Sequence, residues 1–146
     1  MNKIDLNSLQ LKIFTEQDAL DYCSINNINP DDITELYLGW NELTDISGIR
    51  LFKNLKKLWL NENKITDISD LKDLKTLIIA INKIKDISVL KYLNNLEFLN
   101  IKDLKLKSDQ IEYIKLLKNL EILYSPRGFK DMSVLNQLKN VKIHKI

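Results

Sequence analysis

The sequence is poor in the residues from which most small chemical sites are built. In 146 residues it has one cysteine, Cys23, and one histidine, His144. A lone thiol cannot close an internal disulfide, so the chain reads as one suited to a reducing compartment, with Cys23 as a small buried apolar residue. His144 lies at the far end of the chain from Cys23, which argues against a Cys–His nucleophile pair. Three glycines leave no Gly-rich phosphate loop. Neither CxxC nor HExxH occurs, and no Ser/His/Asp constellation can be placed. The expectation is a protein that is not an enzyme and works without a cofactor or metal. An excess of one charge is also lacking. Lys plus Arg number 22 against 20 Asp plus Glu, interleaved, for a formal net charge of +2. That is no footprint for nucleic acid. No apolar run is long enough to span a membrane. The segment from Met1 to Phe14 contains Lys3 and Asp5 and no apolar signal-peptide core. The expectation is a cytoplasmic protein that does not engage membranes.

What is present is self-similarity. The slots Ile33, Leu36, Leu38, Asn41, Leu43, Asp45, Ile46, Ile49 and Phe52 recur 22 residues on. There they hold Leu55, Leu58, Leu60, Asn63, Ile65, Asp67, Ile68, Leu71 and Leu74. A third copy begins at Leu74 itself, with Leu77, Ile79, Asn82, Ile84, Asp86, Ile87, Leu90 and Leu93. The second copy is therefore three residues short. A fourth copy starts at Leu96 and has Leu104 where Asn belongs; a fifth starts at Leu120 and has Ser125 in an apolar slot. Leu6, Leu9 and Leu11 read as a degenerate opening repeat, and Val141 to Ile146 as a last strand. A bias to Lys, Ile and Asn points to an AT-rich genome, bacterial or viral.

The motifs LYLGWNELTDISGI (Leu36–Ile49) and LWLNENKITDISDL (Leu58–Leu71) resemble the leucine-rich-repeat family. They fit its 22-residue class, which includes the internalins and a regulatory subunit of a protein phosphatase. The resemblance runs from about Leu6 to Ile146. It implies an α/β solenoid with a single parallel sheet on the concave face and short helices and turns on the convex face. It also implies that Asn41, Asn63 and Asn82 bond the backbone of the neighbouring turn. The chain is expected to form one domain: an opening repeat and capping helix over 1–32, about five repeats over 33–140, and a terminal strand over 141–146. Strands are expected near Leu9, Leu36, Leu58, Leu77, Leu99 and Leu123.

Local chemistry adds detail. In L-x-x-L-x-L, alternate residues face opposite sides of a strand, so Leu36 and Leu38 point inward and Tyr37 outward. Asp45, Asp67, Asp86 and Asp131 precede Ile-Ser or Met-Ser and can cap a short helical turn. Metal binding by these carboxylates is disfavoured because no His or Cys clusters with them. Thr15 can cap a helix from Glu16 to about Asn26, with Asp18 at its third position and Ala19, Leu20 and Cys23 inward. Ser108 can cap a helix from Asp109 to Lys118, lined by Ile111, Ile114 and Leu117. Val141, Ile143 and Ile146 leave an edge that a second copy could cover as a homodimer.

The outward strand positions form the candidate site. A central column holds Tyr37, Trp59, Ile78, Asn100 and Tyr124. Glu35, Lys57, Thr76, Phe98 and Ile122 flank it on one side. Gly39, Asn61, Ala80 and Lys102 lie on the other, and beyond them Trp40, Glu62, Ile81 and Asp103. Arg127 is expected nearby. Their aromatic and aliphatic content exceeds what an idle surface carries. Trp, Tyr and Arg are the usual anchors of protein interfaces. The plainer alternative is that Trp40 and Phe98 only pack within the solenoid. The expected partner is another protein. The internalins of this class are secreted receptor binders; the missing leader here favours an intracellular inhibitor or adaptor. An immunity or antagonist protein neutralising a toxin or defence enzyme is one alternative. A single-stranded nucleic-acid binder is another, stacking bases on Trp59 and Tyr37 beside Lys57, Lys102 and Arg127. Glu35, Glu62 and Asp103 on the same face oppose it.

Overall fold

Among the described residues, the first six short strands each set one buried residue between two outward ones, and that alternation stacks into a single sheet. The computed structural model describes residues 2–126, 133 and 135–144. It has seven parallel strands in sequential order: β1 (Lys3–Asp5), β2 (Glu35–Tyr37), β3 (Lys57–Trp59), β4 (Thr76–Ile78), β5 (Phe98–Asn100), β6 (Ile122–Tyr124) and β7 (Lys142–His144). The pairing keeps Ile4, Leu36, Leu58, Leu77, Leu99, Leu123 and Ile143 in one row. The first six of these are fully buried. Two residues on, Leu6, Leu38, Leu60, Ile79 and Ile101 are buried as well. Fully burying such a side chain stabilises by roughly 1.5–3 kcal/mol, so each turn contributes to one continuous core.

The asparagines tie turn to turn. The Asn63 side-chain amide donates to the carbonyls of Leu38 (2.8 Å), Leu60 (3.0 Å) and Asn61 (3.4 Å), while its oxygen accepts from the Leu43 N–H (2.9 Å). Asn82 repeats this on Leu60, Ile79, Ala80 and Ile65, and Asn41 on Leu6, Leu38, Gly39, Leu9 and Leu11. Each Asn thus satisfies backbone groups of its own turn and of the preceding one. The ladder ends at Leu104, which fills the next slot as a buried apolar residue.

The opening strand is Lys3–Asp5 and not a segment at Leu9. The first turn is longer than the others because helix α1 (Glu16–Ile25) is inserted in it. Ile4 pairs with Leu36, so equivalent residues lie 32 apart there and Leu9 takes the slot of Asn41. Leu9 is 55% exposed as a result. Thr15 and Asp18 form the expected capping box on α1. Ala19 and Cys23 are buried, and Tyr22 packs half-buried against the core. Leu20 is 42% exposed, contrary to expectation, because the buried stripe runs through positions 19, 22 and 23. Cys23 is a free buried thiol, and burial pushes its pKa up.

On the side away from the sheet the turns are 3₁₀ segments, among them Ser47–Leu51 and Ser88–Tyr92. The Ser47, Ser69 and Ser88 N–H groups donate to Asp45, Asp67 and Asp86 at 2.7, 2.8 and 2.8 Å. Each aspartate therefore closes a turn one residue ahead of the helix cap position, which is Ile46 in one segment and Ile87 in the other. Asp131 and Met132 lie outside the described residues. The segment expected as an α-helix from Asp109 is a 3₁₀ helix, Ser108–Leu116, capped at Lys107 without a side-chain bond. Its buried residues Ile111 and Ile114, followed by the buried C-cap Leu117, recur every third position, the 3₁₀ period. At the far end Val141 and Ile143 are half-buried, β7 is three residues long, and Ile146 lies outside the described residues.

Candidate functional site

Parallel strands place equivalent outward residues about 4.8 Å apart. The register sets Asp5, Tyr37, Trp59, Ile78, Asn100, Tyr124 and His144 in one column, and Lys3, Glu35, Lys57, Thr76, Phe98, Ile122 and Lys142 in the column beside it. The sequence-derived columns are therefore neighbours in space. They are longer than expected, by Lys3 and Asp5 at one end and by Lys142 and His144 at the other. Aligning Ile4, Leu6 and Phe14 with Leu36, Leu38 and Ile46 would have revealed the first pair. Arg127 lies outside the described residues.

Two aromatic groups stand on this face. Toward the N-terminal end, Tyr37 and Trp59 stack with centroids 4.1 Å apart and planes 10° from parallel. The Lys3 ammonium sits 5.1 Å from the Tyr37 ring centre. Glu35 receives the Tyr37 hydroxyl at 3.0 Å and the Lys57 ammonium at 2.8 Å. The bond from Lys57, then that from Tyr37, holds the Glu35 carboxyl below its ordinary pKa. Burial, reinforced by Glu35, holds the Tyr37 phenol above its own. Toward the C-terminal end, Tyr124 stacks on His144 at 4.5 Å and meets Phe98 at 5.6 Å in a tilted contact. Ile78 and Asn100 lie between the groups, and the Asn100 side chain accepts the Lys102 N–H at 3.0 Å.

Beyond the strands, Trp40, Glu62, Ile81 and Asp103 form a further column, each with φ between 53° and 58°. This is left-handed backbone, which a bulky or β-branched side chain adopts at a cost. The Trp40 indole donates to Glu62 at 2.8 Å, and Trp40 is 53% exposed, so it is not absorbed into the solenoid. Phe98 is half-buried, in contact with Tyr124. Among the described residues no three His, Cys, Asp or Glu side chains gather as a metal site. No helix there is long and apolar enough to cross a membrane.

Residues 31–73 match the family model described as leucine-rich repeats, two copies. The chain folds as a leucine-rich-repeat solenoid. Its fold is similar to that of an internalin of Listeria monocytogenes, at 24% identity and a TM-score of 0.78 over 100% of this chain and 48% of that one. It is similar also to a leucine-rich-repeat protein of Leptospira interrogans, at 26% identity and a TM-score of 0.75 over 100% and 37%. Internalin C2 of Listeria monocytogenes matches at 20% identity and a TM-score of 0.67, over 97% and 69%. The chain thus spans about half the length of the first of these structures and little more than a third of the second. No curated protein matches it. Leucine-rich-repeat folds generally mediate protein–protein interaction, and the outward face of the sheet is this chain's concave face.

Proposed function

We propose that this leucine-rich-repeat chain binds a protein partner through its concave face, with Tyr37 and Trp59 as the anchor. One observation carries the reading. Tyr37 and Trp59 are stacked, half-exposed, and displayed on a face whose opposite side already holds the core. Stacking fixes both rings before any partner arrives, and a rigid aromatic pair loses little side-chain entropy on binding. Glu35, Lys57 and Tyr37 satisfy one another, so a partner can cover them without stranding a charge, whereas the Glu62 carboxylate, bonded only to the neutral Trp40 indole, keeps its charge at the border of the strip. Ile78, Phe98 and Tyr124 extend the apolar strip. Asn100, Lys102, Glu62 and Ile81 border it.

A role as an intracellular inhibitor or adaptor is part of this reading. The support is the free, buried thiol of Cys23, which suits a reducing compartment. The reading is tested by capture from a lysate of the source organism, with the parent and the Trp59→Ala variant as paired baits. A protein held by the parent and lost from the variant is the expected result. Equal capture of that protein by both baits overturns the site assignment.

A further inference from the structure

The loops that leave the strands carry different charges along the solenoid. After β2 and β3 the two exposed positions flanking the buried Leu43 or Ile65 are Glu42 and Thr44, then Lys64 and Thr66. Lys64 is paired with Glu42 at 2.8 Å. After β4 and β5 the equivalent positions are Lys83 and Lys85, then Lys105 and Lys107. All four of these lysines are exposed, and none makes an ion pair among the described residues. Threonine serves at two of the equivalent positions elsewhere, so the fold does not require lysine there.

The two lysine-bearing segments run side by side. The Ile81 N–H donates to the Lys102 carbonyl at 3.0 Å, and the Ile87 N–H donates to the Gln110 side chain at 2.9 Å, bracketing them. Within each segment the lysines alternate with the inward Ile84 or Leu106, so they share a side. Neighbouring turns are about 4.8 Å apart, and alternate residues of extended backbone are about 6.6 Å apart. The same 6.6 Å repeat separates same-side carboxylates on an extended acidic peptide. Beside the lysines, Ile81 stands 45% exposed at φ 55°. The left-handed backbone at this slot is shared by Trp40, Glu62 and Asp103, so the turn itself demands it, and at Ile81 it presents an apolar side chain to solvent next to the lysines.

We propose that this strand-exit edge binds an extended acidic segment of a protein. Its carboxylates meet Lys83, Lys85, Lys105 and Lys107, and one of its apolar residues meets Ile81. The inference rests on the concave-face reading only in taking the partner to be a protein. A nucleic acid is disfavoured because the patch is only two turns wide, and the whole chain carries a net charge of just +2. An acidic peptide with an apolar residue matches both halves of the edge.

The test is fluorescence anisotropy with a short labelled peptide of alternating Glu and Ser around a central Leu. Oligothymidylate and phosphatidylserine vesicles are titrated in parallel. The proteins are the parent, Lys83→Glu/Lys105→Glu, and a control of equal charge change, Lys53→Glu/Lys72→Glu, each checked for folding by circular dichroism. The edge variant should lose about tenfold in affinity for the peptide, and the control should match the parent. Binding should weaken between about 50 and 200 mM salt. Trp59→Ala should retain the peptide even while losing the captured partner, so failure at the edge and failure of the concave-face reading give different results. No binding by the parent, equal loss in the control, or tighter lysine-dependent binding of oligothymidylate or vesicles overturns the proposal.

Discussion

The turns that carry β2 to β4 and those that carry β5 to β7 share one strand pattern but are fastened differently. In the first group, Asn41, Asn63 and Asn82 each link two turns through several hydrogen bonds. In the second, Leu104 replaces the asparagine and Ser125 replaces an inward aliphatic residue. The Ser125 hydroxyl is buried with no hydrogen-bond partner among the described residues. The Tyr37–Trp59 stack stands on the latched turns, whereas Phe98, Tyr124 and His144 stand on the others. The turns under the second aromatic group lack these asparagine bonds, which predicts that they open more readily than the turns under the anchor.

The comparison can be broken most forcefully at Asn63. Asn63→Ala leaves the buried Leu43 N–H without its partner and removes one of the two asparagine bonds to each of the Leu38 and Leu60 carbonyls, which keep those from Asn41 and Asn82. The cost should be on the order of 3 kcal/mol, seen as a lower urea midpoint. Hydrogen exchange around Leu43 should then rise to the level of the amides near Lys105. An unchanged midpoint would mean that the ladder does not set the difference.

Gly48 is the next point of attack. A Cβ there would lie 2.5 Å from the Thr15 carbonyl oxygen and 2.8 Å from Phe14, where the chain passes close to the start of α1. Gly48→Ala should cost about 1–3 kcal/mol by forcing backbone apart. The loss should appear first as faster exchange in α1.

At Ser125 the expected sign reverses. Ser125→Ala removes an unsatisfied buried hydroxyl and should stabilise the chain by about 1 kcal/mol, measured by the same urea titration. Destabilisation would show that the hydroxyl has a partner.

The smallest effect is that of acid. Glu35, Asp67 and Asp86 are held below their ordinary values of 4.5, 3.8 and 3.8, by Lys57 for Glu35 and by the Ser69 and Ser88 N–H groups for the aspartates. The unfolded chain therefore binds protons more readily than the folded one. Their contribution is complete above those ordinary values and is lost as pH falls through the lower folded ones. These groups face solvent, so the loss of urea midpoint between about pH 6 and pH 3 should be modest. A midpoint that rises toward pH 3 would contradict the assignment.

The repeat made the inward residues legible because Leu36, Leu58, Leu77 and Leu99 must fill the same slot in every turn. The asparagine slot was legible for the same reason. The outward columns then followed by alternation alone. What a 22-residue period could not show was the first turn, where α1 lengthens the repeat and sets β1 at Lys3 instead of Leu9. The same blindness hid Asp5. At Ile111, Ile114 and Leu117 the threefold spacing fits an α-helical stripe as well as the 3₁₀ helix that forms, so spacing alone does not separate them. The left-handed backbone of Trp40 and Ile81 was invisible because neither residue type favours it.

The central claim is that Trp59 and Tyr37 anchor the partner while contributing little to the fold. The direct measurement is the dissociation constant of the captured partner for the parent, Trp59→Ala, Tyr37→Ala and Lys72→Ala, with the urea midpoint taken on each. Centrally buried aromatic anchors are worth about 2 kcal/mol or more on truncation, roughly thirtyfold in affinity. The two aromatic variants should lose that much while their midpoints stay close to the parent's, and Lys72→Ala should change neither. Aromatic variants that fold and bind like the parent, with binding lost on changing Lys72 instead, would place the interface on the convex side and contradict the account.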